Sequence, residues 1–504
     1  MSDIILAFPL FSIIVCFIGA VCCSFTNKKV SFYIVLSVCL LVTALSVVTF
    51  IYCLDKNESF IYTMGHFDPN EDGIRICNEI RFGTVETFLA SVFPVILFFI
   101  LIGGKQMQDQ DIPAHRMNLY YVMMCLILVS FIALTYTNDI FTGFVFLEIS
   151  TLVSCGCLMV KEKGSTILST VRYMIFNLVG SGLFLIGIVT LYDVTGYLSI
   201  ENIASKLLEM ETLNIPTLLG MTMVVIGLSI KSGLFPFHFW MPDAYGNATP
   251  ASSSVMSGIA TKGYVILLIK VIYRMFTIEL VRQTPILPIL FILGVSGMVV
   301  ASINAINQKS VDRMVSFSSA AQIGYIFMGI GISEKIALIA AIVHILTHSI
   351  TKPLLFLTAG HLSRKSDGSL KFRNLRGVGR VAYFNGFAFS LGCLSMVGVP
   401  LLAGFSSKYL FISSAVAEGV PVWMMIVALM ALAASTVLNA IYFLRTMITI
   451  YLPVDKNEKV SKDKFKPNVS TYIGINGLLL LNLLLGLFLS PIVKMLSDGI
   501  DKFV

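Results

Sequence analysis

Apolar runs of about 20 residues recur along nearly the whole chain, each long enough to cross ~30 Å of hydrocarbon at ~1.5 Å rise per residue. In lipid every backbone N–H and C=O must find a partner inside its own element, so only helices and closed barrels span. The runs are continuous rather than alternating, which excludes a β-barrel. They mark about fourteen helices, at roughly 4–25, 30–54, 84–103, 118–136, 139–160, 167–192, 215–241, 251–277, 285–306, 311–332, 335–362, 381–416, 420–447 and 470–494. The expected fold is therefore an all-α polytopic membrane protein, with 1–504 a single membrane domain. Composition agrees: 57% of the 504 residues are hydrophobic and 12% charged, against about 25% charged in a soluble domain. That excludes a soluble enzyme held by a few anchors.

The net charge of +7 follows from basic loops, not from a nucleic-acid surface, and no nucleic-acid partner is expected. One loop carries Arg364, Lys365, Lys371, Arg373, Arg376 and Arg380; another carries Lys456, Lys459, Lys462, Lys464 and Lys466. The helix count puts both on one side with Lys28, Lys29, Lys161 and Lys163. The positive-inside rule makes that side cytoplasmic, which predicts a multi-pass protein of the cell (inner) membrane with both termini outside. The acid-rich 55–81 loop then lies outside as well. The first run lacks a basic leader and reads as a retained helix. The ten cysteines, Cys77 among them, lie nearly all in apolar runs with no CxxC pair. Neither a zinc site nor an iron–sulfur cluster held by this chain alone is expected, and no metal or other cofactor.

Two runs are interrupted by glycine and proline: Lys231-Ser-Gly-Leu-Phe-Pro236 in the seventh helix, and Gly398-Val-Pro400-Leu-Leu-Ala-Gly404-Phe-Ser-Ser-Lys408 in the twelfth. Paired broken helices in corresponding positions point to inverted repeats. A spacing of five helices inverts the second copy, which predicts repeats at 118–277 and 285–447 and a separate C-terminal helix at 470–494. Simple proline kinks are the alternative.

Ionisable residues stand deep inside the same runs. Glu148 lies in the fifth helix, Lys231 at the first break, and Lys262 in the eighth. His344, His348 and Lys352 share the eleventh, and Lys408 closes the second break. A mid-helix lysine costs about 2.5–3.5 kcal/mol on insertion scales, so four of them cost on the order of 10–14 kcal/mol. A structural Glu148–Lys231 ion pair and a Lys408 that snorkels to the interface are the plainer readings. Lys270 and Arg274, nearer a helix end, are expected to snorkel and are set aside. His344, His348 and Lys352 recur at i, i+4 and i+8, a single stripe with ~40° of drift per step. HxxxH is also a metal spacing, but no carboxylate follows His344 and a lysine one turn on opposes a cation. A satisfied structural histidine and a proton relay both remain open.

The stretch Phe235-Pro-Phe-His-Phe-Trp-Met-Pro-Asp-Ala-Tyr-Gly-Asn-Ala-Thr-Pro-Ala-Ser-Ser-Ser254 resembles the signature of the antiporter-like subunits shared by respiratory complex I, membrane-bound hydrogenases and Mrp sodium/proton antiporters. Ser318–Tyr325, His344–Phe356 and Gly398–Lys408 match it too, and the likeness runs along essentially the whole chain in helix order. The overall look is nearest the Mrp D-type and hydrogenase-associated members. The resemblance implies fourteen helices with two inverted five-helix repeats. It also implies roles: Glu148 and Lys231 in a first half-channel, Lys262 as connecting lysine, His344, His348 and Lys352 as central axis, and Lys408 as the terminal charge of a second half-channel. The chain departs from the family at Asp312, where a lysine is common.

The expected function is a proton-translocating subunit, with sodium as a second candidate cargo, working beside other membrane subunits. Redox chemistry would sit in iron–sulfur, nickel–iron or NADH-oxidising peripheral partners. The alternatives are an Mrp-type antiporter component without redox chemistry, and a membrane scaffold whose charges are structural.

Overall fold

A computed structural model describes residues 2–63, 78–210, 213–366, 368–453 and 466–503. Cys77, most of the acid-rich loop, and Lys456, Lys459, Lys462 and Lys464 lie outside the described residues. The chain is a helical bundle. Its long elements are α1 (Phe8–Phe25), α2 (Lys28–Lys56), α3 (Thr84–Asp111), α4 (Met117–Tyr136), α5 (Ile140–Met159) and α6 (Gly164–Thr195). A short surface helix, α7 (Ile200–Leu208), precedes α8 (Ile215–Ser232) and α9 (Trp240–Asn247). Then come α10 (Pro250–Met275), α11 (Ile286–Ile306), α12 (Val311–Ile332), α13 (Lys335–Ser363), α14 (Tyr383–Val397), α15 (Ala403–Ala415), α16 (Val422–Tyr451), α17 (Val469–Leu487) and α18 (Leu489–Phe503). Thirteen helical spans among the described residues are long and apolar enough to cross a membrane. The predicted twelfth is the exception, because it is split into α14 and α15.

Polar side chains set the helix starts. Asn27, Asp139, Asn214 and Thr249 each accept the N–H three residues on, at 3.2, 2.5, 2.9 and 3.1 Å, satisfying donors that a helix end leaves orphaned. At one end of the bundle β1 (Phe60–Thr63) and β2 (Glu79–Phe82) form an antiparallel pair, with Phe60 opposite Phe82. Arg81 of β2 pairs with Glu201 of α7 at 2.9 Å and donates to Lys502 O of α18 at 2.8 Å. Lys335 at the start of α13 pairs with Asp501 at 2.6 Å. The amphipathic α7 and α18 are thereby tied over this end. The loop carrying Arg364–Arg380 lies at the other.

Both predicted breaks are real and use the same device. α8 stops at Ser232, where Gly233 takes φ +76°, and α14 stops at Val397, where Gly398 takes φ +99°. That left-handed conformation favours glycine, which has no Cβ to clash, and ends a helix. The seventh helix does not end near residue 241 as predicted: its second half continues to Asn247. Asp243 there is held by Arg172 of α6 at 2.5 Å and Arg313 of α12 at 2.8 Å, so the ion pairs anchor the continuation.

Three helices, α10, α12 and α13, are enclosed by protein over most of their length. A polar group in a membrane chain is cheapest where neither lipid nor apolar packing faces it. These interior helices carry most of the charged and hydroxyl-bearing residues considered next.

Candidate functional site

At the first break Lys231 is fully buried. Its ammonium donates to Glu148 Oε1 and to Thr151 Oγ1 of α5, both at 2.8 Å. Ser181 of α6 donates to the same carboxylate oxygen. Gly180 makes the approach possible, since a Cβ there would stand 3.1 Å from Lys231 Cγ and 3.0 Å from Gly227 O. On its inner side Lys231 stands 5.8 Å from the Tyr264 ring of α10, within cation–π range. Glu148 itself is 28% exposed on the perimeter of the bundle, between the exposed Val145 and Leu152.

Lys262, on the same helix as Tyr264, has a different solution. Met256–Ala260 forms a wide π-helical turn, and Lys262 Nζ donates to Ser257 O at 2.8 Å and Thr261 Oγ1 at 3.2 Å. A π-turn displaces the usual i→i−4 ladder and frees a carbonyl for such a contact. Ser257 Oγ in turn meets Ser319 Oγ of α12 at 3.2 Å.

The stripe on α13 is buried throughout. Lys352 donates to Ser318 Oγ at 2.6 Å and Val315 O at 3.2 Å. Pro353 follows it and offers no N–H to Ser349 O. His344 Nδ1 bonds Ser407 Oγ of α15 at 2.9 Å, and its ring stacks on Tyr325 at 5.2 Å between centroids. Neither nitrogen of His348 meets a protein partner among the described residues. His344 thus meets α15 one residue before Lys408, and Lys352 stands two turns further along α13.

Lys408 sits six residues into α15 and folds back across the break. Its ammonium donates to Val397 O, the last carbonyl of α14, at 2.8 Å, and stands 5.8 Å from the Tyr325 ring. It is buried, so it does not snorkel. Among the described residues no carboxylate lies within ion-pair reach of Lys262, Lys352 or Lys408, whereas Lys231 has one.

Four residues without an assigned role in the sequence reading join this core. Tyr442 OH of α16 bridges Ser318 Oγ, at 3.1 Å, and Asn439 Oδ1; Asn439 Nδ2 reaches Tyr325 OH at 3.5 Å. Lys352, Ser318, Tyr442, Asn439 and Tyr325 thus form one polar string that ends beside Lys408. The signal for it was Asn439, a lone amide in the middle of an otherwise apolar run.

Lys270 and Arg274 require a correction: they do not snorkel. Lys270 is fully buried and donates to Thr135 O and Thr137 O at 2.7 Å and to Leu134 O at 3.3 Å. The end of α4 leaves carbonyls unpaired, and a lysine from the neighbouring helix satisfies them. Arg274 is held by Asn138 Oδ1 at 2.7 Å, Glu86 at 3.3 Å and Glu201 at 3.6 Å. Asp312 lies in the first turn of α12, where its backbone carbonyl accepts from Ser316 Oγ at 2.7 Å.

A multi-helix membrane bundle with lysines buried at two helix breaks and in the interior between them defines a membrane subunit of the ion-translocating class. The chain belongs to the NADH:quinone oxidoreductase/Mrp antiporter transmembrane family, whose model matches residues 137–434. It is 28% identical over 425 residues to NADH-quinone oxidoreductase subunit N of Desulforudis audaxviator (strain MP104C), covering 83% of this chain and 80% of that one. It is 28% identical over 337 residues to a Na(+)/H(+) antiporter component of Alkalihalophilus pseudofirmus (strain ATCC BAA-2126 / JCM 17055 / OF4), covering 66% of each. Its fold matches a chain of the membrane-bound sulfane sulfur reductase, an archaeal respiratory membrane complex, with a TM-score of 0.84, 22% identity and 100% and 97% coverage. At that identity the last likeness is one of fold alone.

Proposed function

We propose that this chain carries protons between its two helix breaks, through a relay made of Glu148, Lys231, Lys262, His344, His348, Lys352 and Lys408. The observation that carries the reading is the mismatch of charges: the four lysines on this path are buried, and among the described residues only Lys231 has a carboxylate within ion-pair reach. A lysine in low dielectric holds its proton weakly unless a carboxylate is near, so moving Glu148 toward or away from Lys231 changes that grip. Among the described residues the hydrogen bonds of Lys262 and Lys352 go to carbonyls and hydroxyls, groups that accept a hydrogen bond without fixing the charge.

The chain acts within a larger assembly on this reading. Glu148 supports it, because a partly exposed carboxylate at mid-membrane is costly unless another subunit covers it. On this reading the redox chemistry that drives transport belongs to peripheral subunits, and the relative named as an oxidoreductase subunit is in line with a redox-linked assembly. The repeats span 118–277 and 285–447, a division supported by the matching left-handed glycines at both breaks. The basic end faces the cytoplasm of a cell membrane, with both termini outside.

A second reading, sodium/proton exchange without redox chemistry, is favoured by equal identity to the antiporter relative. Mild-detergent purification of the tagged chain distinguishes them: iron–sulfur or nickel–iron subunits are expected for the first reading, small membrane subunits alone for the second. The relay itself is tested by proton uptake in proteoliposomes holding the purified complex. His348→Ala should impair transfer between the halves; a variant that only lowers thermal stability would return His348 to a structural role.

A further inference from the structure

Gln322, in the middle of α12, is fully buried, and among the described residues neither its amide oxygen nor its amide nitrogen meets a protein partner. An amide left so in a low-dielectric interior is costly unless something pairs with it. Asn177 on α6 donates to Tyr173 O, four residues back, at 2.8 Å; Gln322 makes no such bond. Its position in the bundle says what it pairs with instead. Two contacts fix the register of α12 against the antiparallel α13. Lys352 donates to Ser318 Oγ at 2.6 Å, and the His344 ring stacks on Tyr325 at 5.2 Å between centroids. Ser318, Gln322 and Tyr325 recur at i, i+4 and i+7, so they form one stripe on α12, facing the stripe of Lys352, His348 and His344 on α13. A step of four residues, ~6 Å, from the first contact toward the second reaches Gln322 on one helix and His348 on the other. These two are the middle rung between the two contacts. Both ring nitrogens of His348 also lack a protein partner among the described residues.

Helix α10 closes the third side. Ser257 Oγ meets Ser319 Oγ at 3.2 Å, and a Cβ on Gly258 would stand 3.2 Å from Ser349 O. Gln322 follows Ser319 by three residues, His348 precedes Ser349, and Lys262 donates to Ser257 O at 2.8 Å. Lys262, Gln322 and His348 therefore border one polar interior where the three helices meet. An amide offers both donors and an acceptor, and a neutral imidazole offers one of each. Two such groups at one level, buried and without direct contact, are the partners a single ordered water requires. A water held by the amide also sets which ring nitrogen of His348 carries its proton.

We propose that Gln322 is the positioning residue of His348, holding its ring through one bridging water. Its effect on transport rests on the proton-relay reading; the contact itself does not.

The first test is a cryo-EM map of the purified complex in which ordered waters are visible. A peak within about 2.7–3.2 Å of both the Gln322 amide and a His348 ring nitrogen is expected. No peak between them, or an amide turned onto the Ser318 carbonyl, would overturn the proposal. The second test is thermal melting. Gln322→Leu should melt below the wild type, because it strips His348 of its partner, whereas an amide with nothing bound to it would make the same change raise the melting temperature. The third is proton uptake in proteoliposomes. Gln322→Leu should lower it by roughly tenfold, as loss of an orienting partner does. Gln322→His keeps a donor and an acceptor and should restore most of it. In a His348→Ala background, Gln322→Leu should cost nothing further. Where His348→Ala impairs uptake, full uptake in Gln322→Leu or an undiminished second loss in the double variant would overturn the proposal. Where His348→Ala transports normally, the relay reading fails at His348, and the map and the melts alone decide whether Gln322 holds it.

Discussion

The two helix breaks look alike in the backbone and differ in how each holds its lysine. Both begin with a left-handed glycine, and both set an ammonium 5.8 Å from a buried tyrosine ring, Tyr264 in one case and Tyr325 in the other. Lys231, however, lies before its break and faces a carboxylate, whereas Lys408 lies after its break and faces the carbonyl end of α14. A helix C-terminus carries a partial negative charge that favours a cation without itself titrating. The first break can thus be switched by moving one charged residue relative to another. The second has no such partner within the described residues, so its proton affinity must respond to the polar string from Lys352 or to a neighbouring subunit.

The largest expected effect is at the first break. Lys231→Met and Glu148→Gln should each lower coupled proton transport by roughly 100-fold, the scale of a lost acid–base group. Their stabilities should differ from those of the pair. Breaking a buried ion pair by removing one partner costs about 3–5 kcal/mol, and Glu148 is partly exposed, so Glu148→Gln should fall near the lower end. Glu148→Gln/Lys231→Met should recover that stability without recovering transport. A double variant as unstable as the single, in thermal melts of the purified complex, would remove the ion pair from the comparison.

At the second break, transport and stability should separate. Lys408→Met should abolish transport while costing only about 1–2 kcal/mol, since what is lost is the pair of hydrogen bonds to Val397 O and Thr436 Oγ1 rather than a counter-ion. Lys408→Glu should be the harsher change. It sets a carboxylate against the same carbonyl, two acceptors facing each other, and only the protonated acid fits. A large destabilisation by Lys408→Met would mean that an unrecognised anion holds the lysine.

The bundle, its two breaks and the seven ionisable residues were legible in the sequence because each is written locally. Span length is a run length, a break is a Gly/Pro pair inside that run, and a charge in an apolar window stands out by its cost. Lys270 was misread for the same reason. A residue near a helix end looks free to reach water, and only the neighbouring end of α4 reveals that three carbonyls are waiting for it. Of the string through Ser318, Tyr442, Asn439 and Tyr325, the sequence offered only the lone amide of Asn439. Hydroxyls are common in membrane helices, and which of them meet depends on how α12 and α16 pack, a fact that no single run contains.

The glycines themselves provide a smaller effect. An alanine at either position meets a left-handed backbone penalty of about 1–2 kcal/mol. At Gly233 the new Cβ would stand 2.2 Å from the end of Met241, a flexible side chain that can move aside. At Gly398 it would stand 3.0 Å from Lys408 Cδ and push the lysine itself. The two variants should therefore melt at similar temperatures, yet Gly398→Ala should lose about threefold more transport than Gly233→Ala. Equal losses would show that strain in the break matters and the lysine's position does not.

The smallest effect bears on how the second break communicates. Tyr442→Phe removes one hydroxyl between Ser318 and Asn439 and keeps the ring, so it should cost about 1 kcal/mol. Lys352 keeps Ser318 Oγ and Val315 O, and Lys408 keeps the Tyr325 ring. What is cut is the link between them. Transport should fall by about threefold to tenfold if protons or polarisation pass along that string, with each end still folded and charged. Tyr264→Phe is the matched change in the first half. There the hydroxyl meets Ser150 at 3.0 Å while Lys231 and Glu148 remain in direct contact, so transport should be nearly unaffected. If the two phenylalanine variants behave alike in the proteoliposome assay, the second half does not depend on its string, and Lys408 must take its proton from outside the chain.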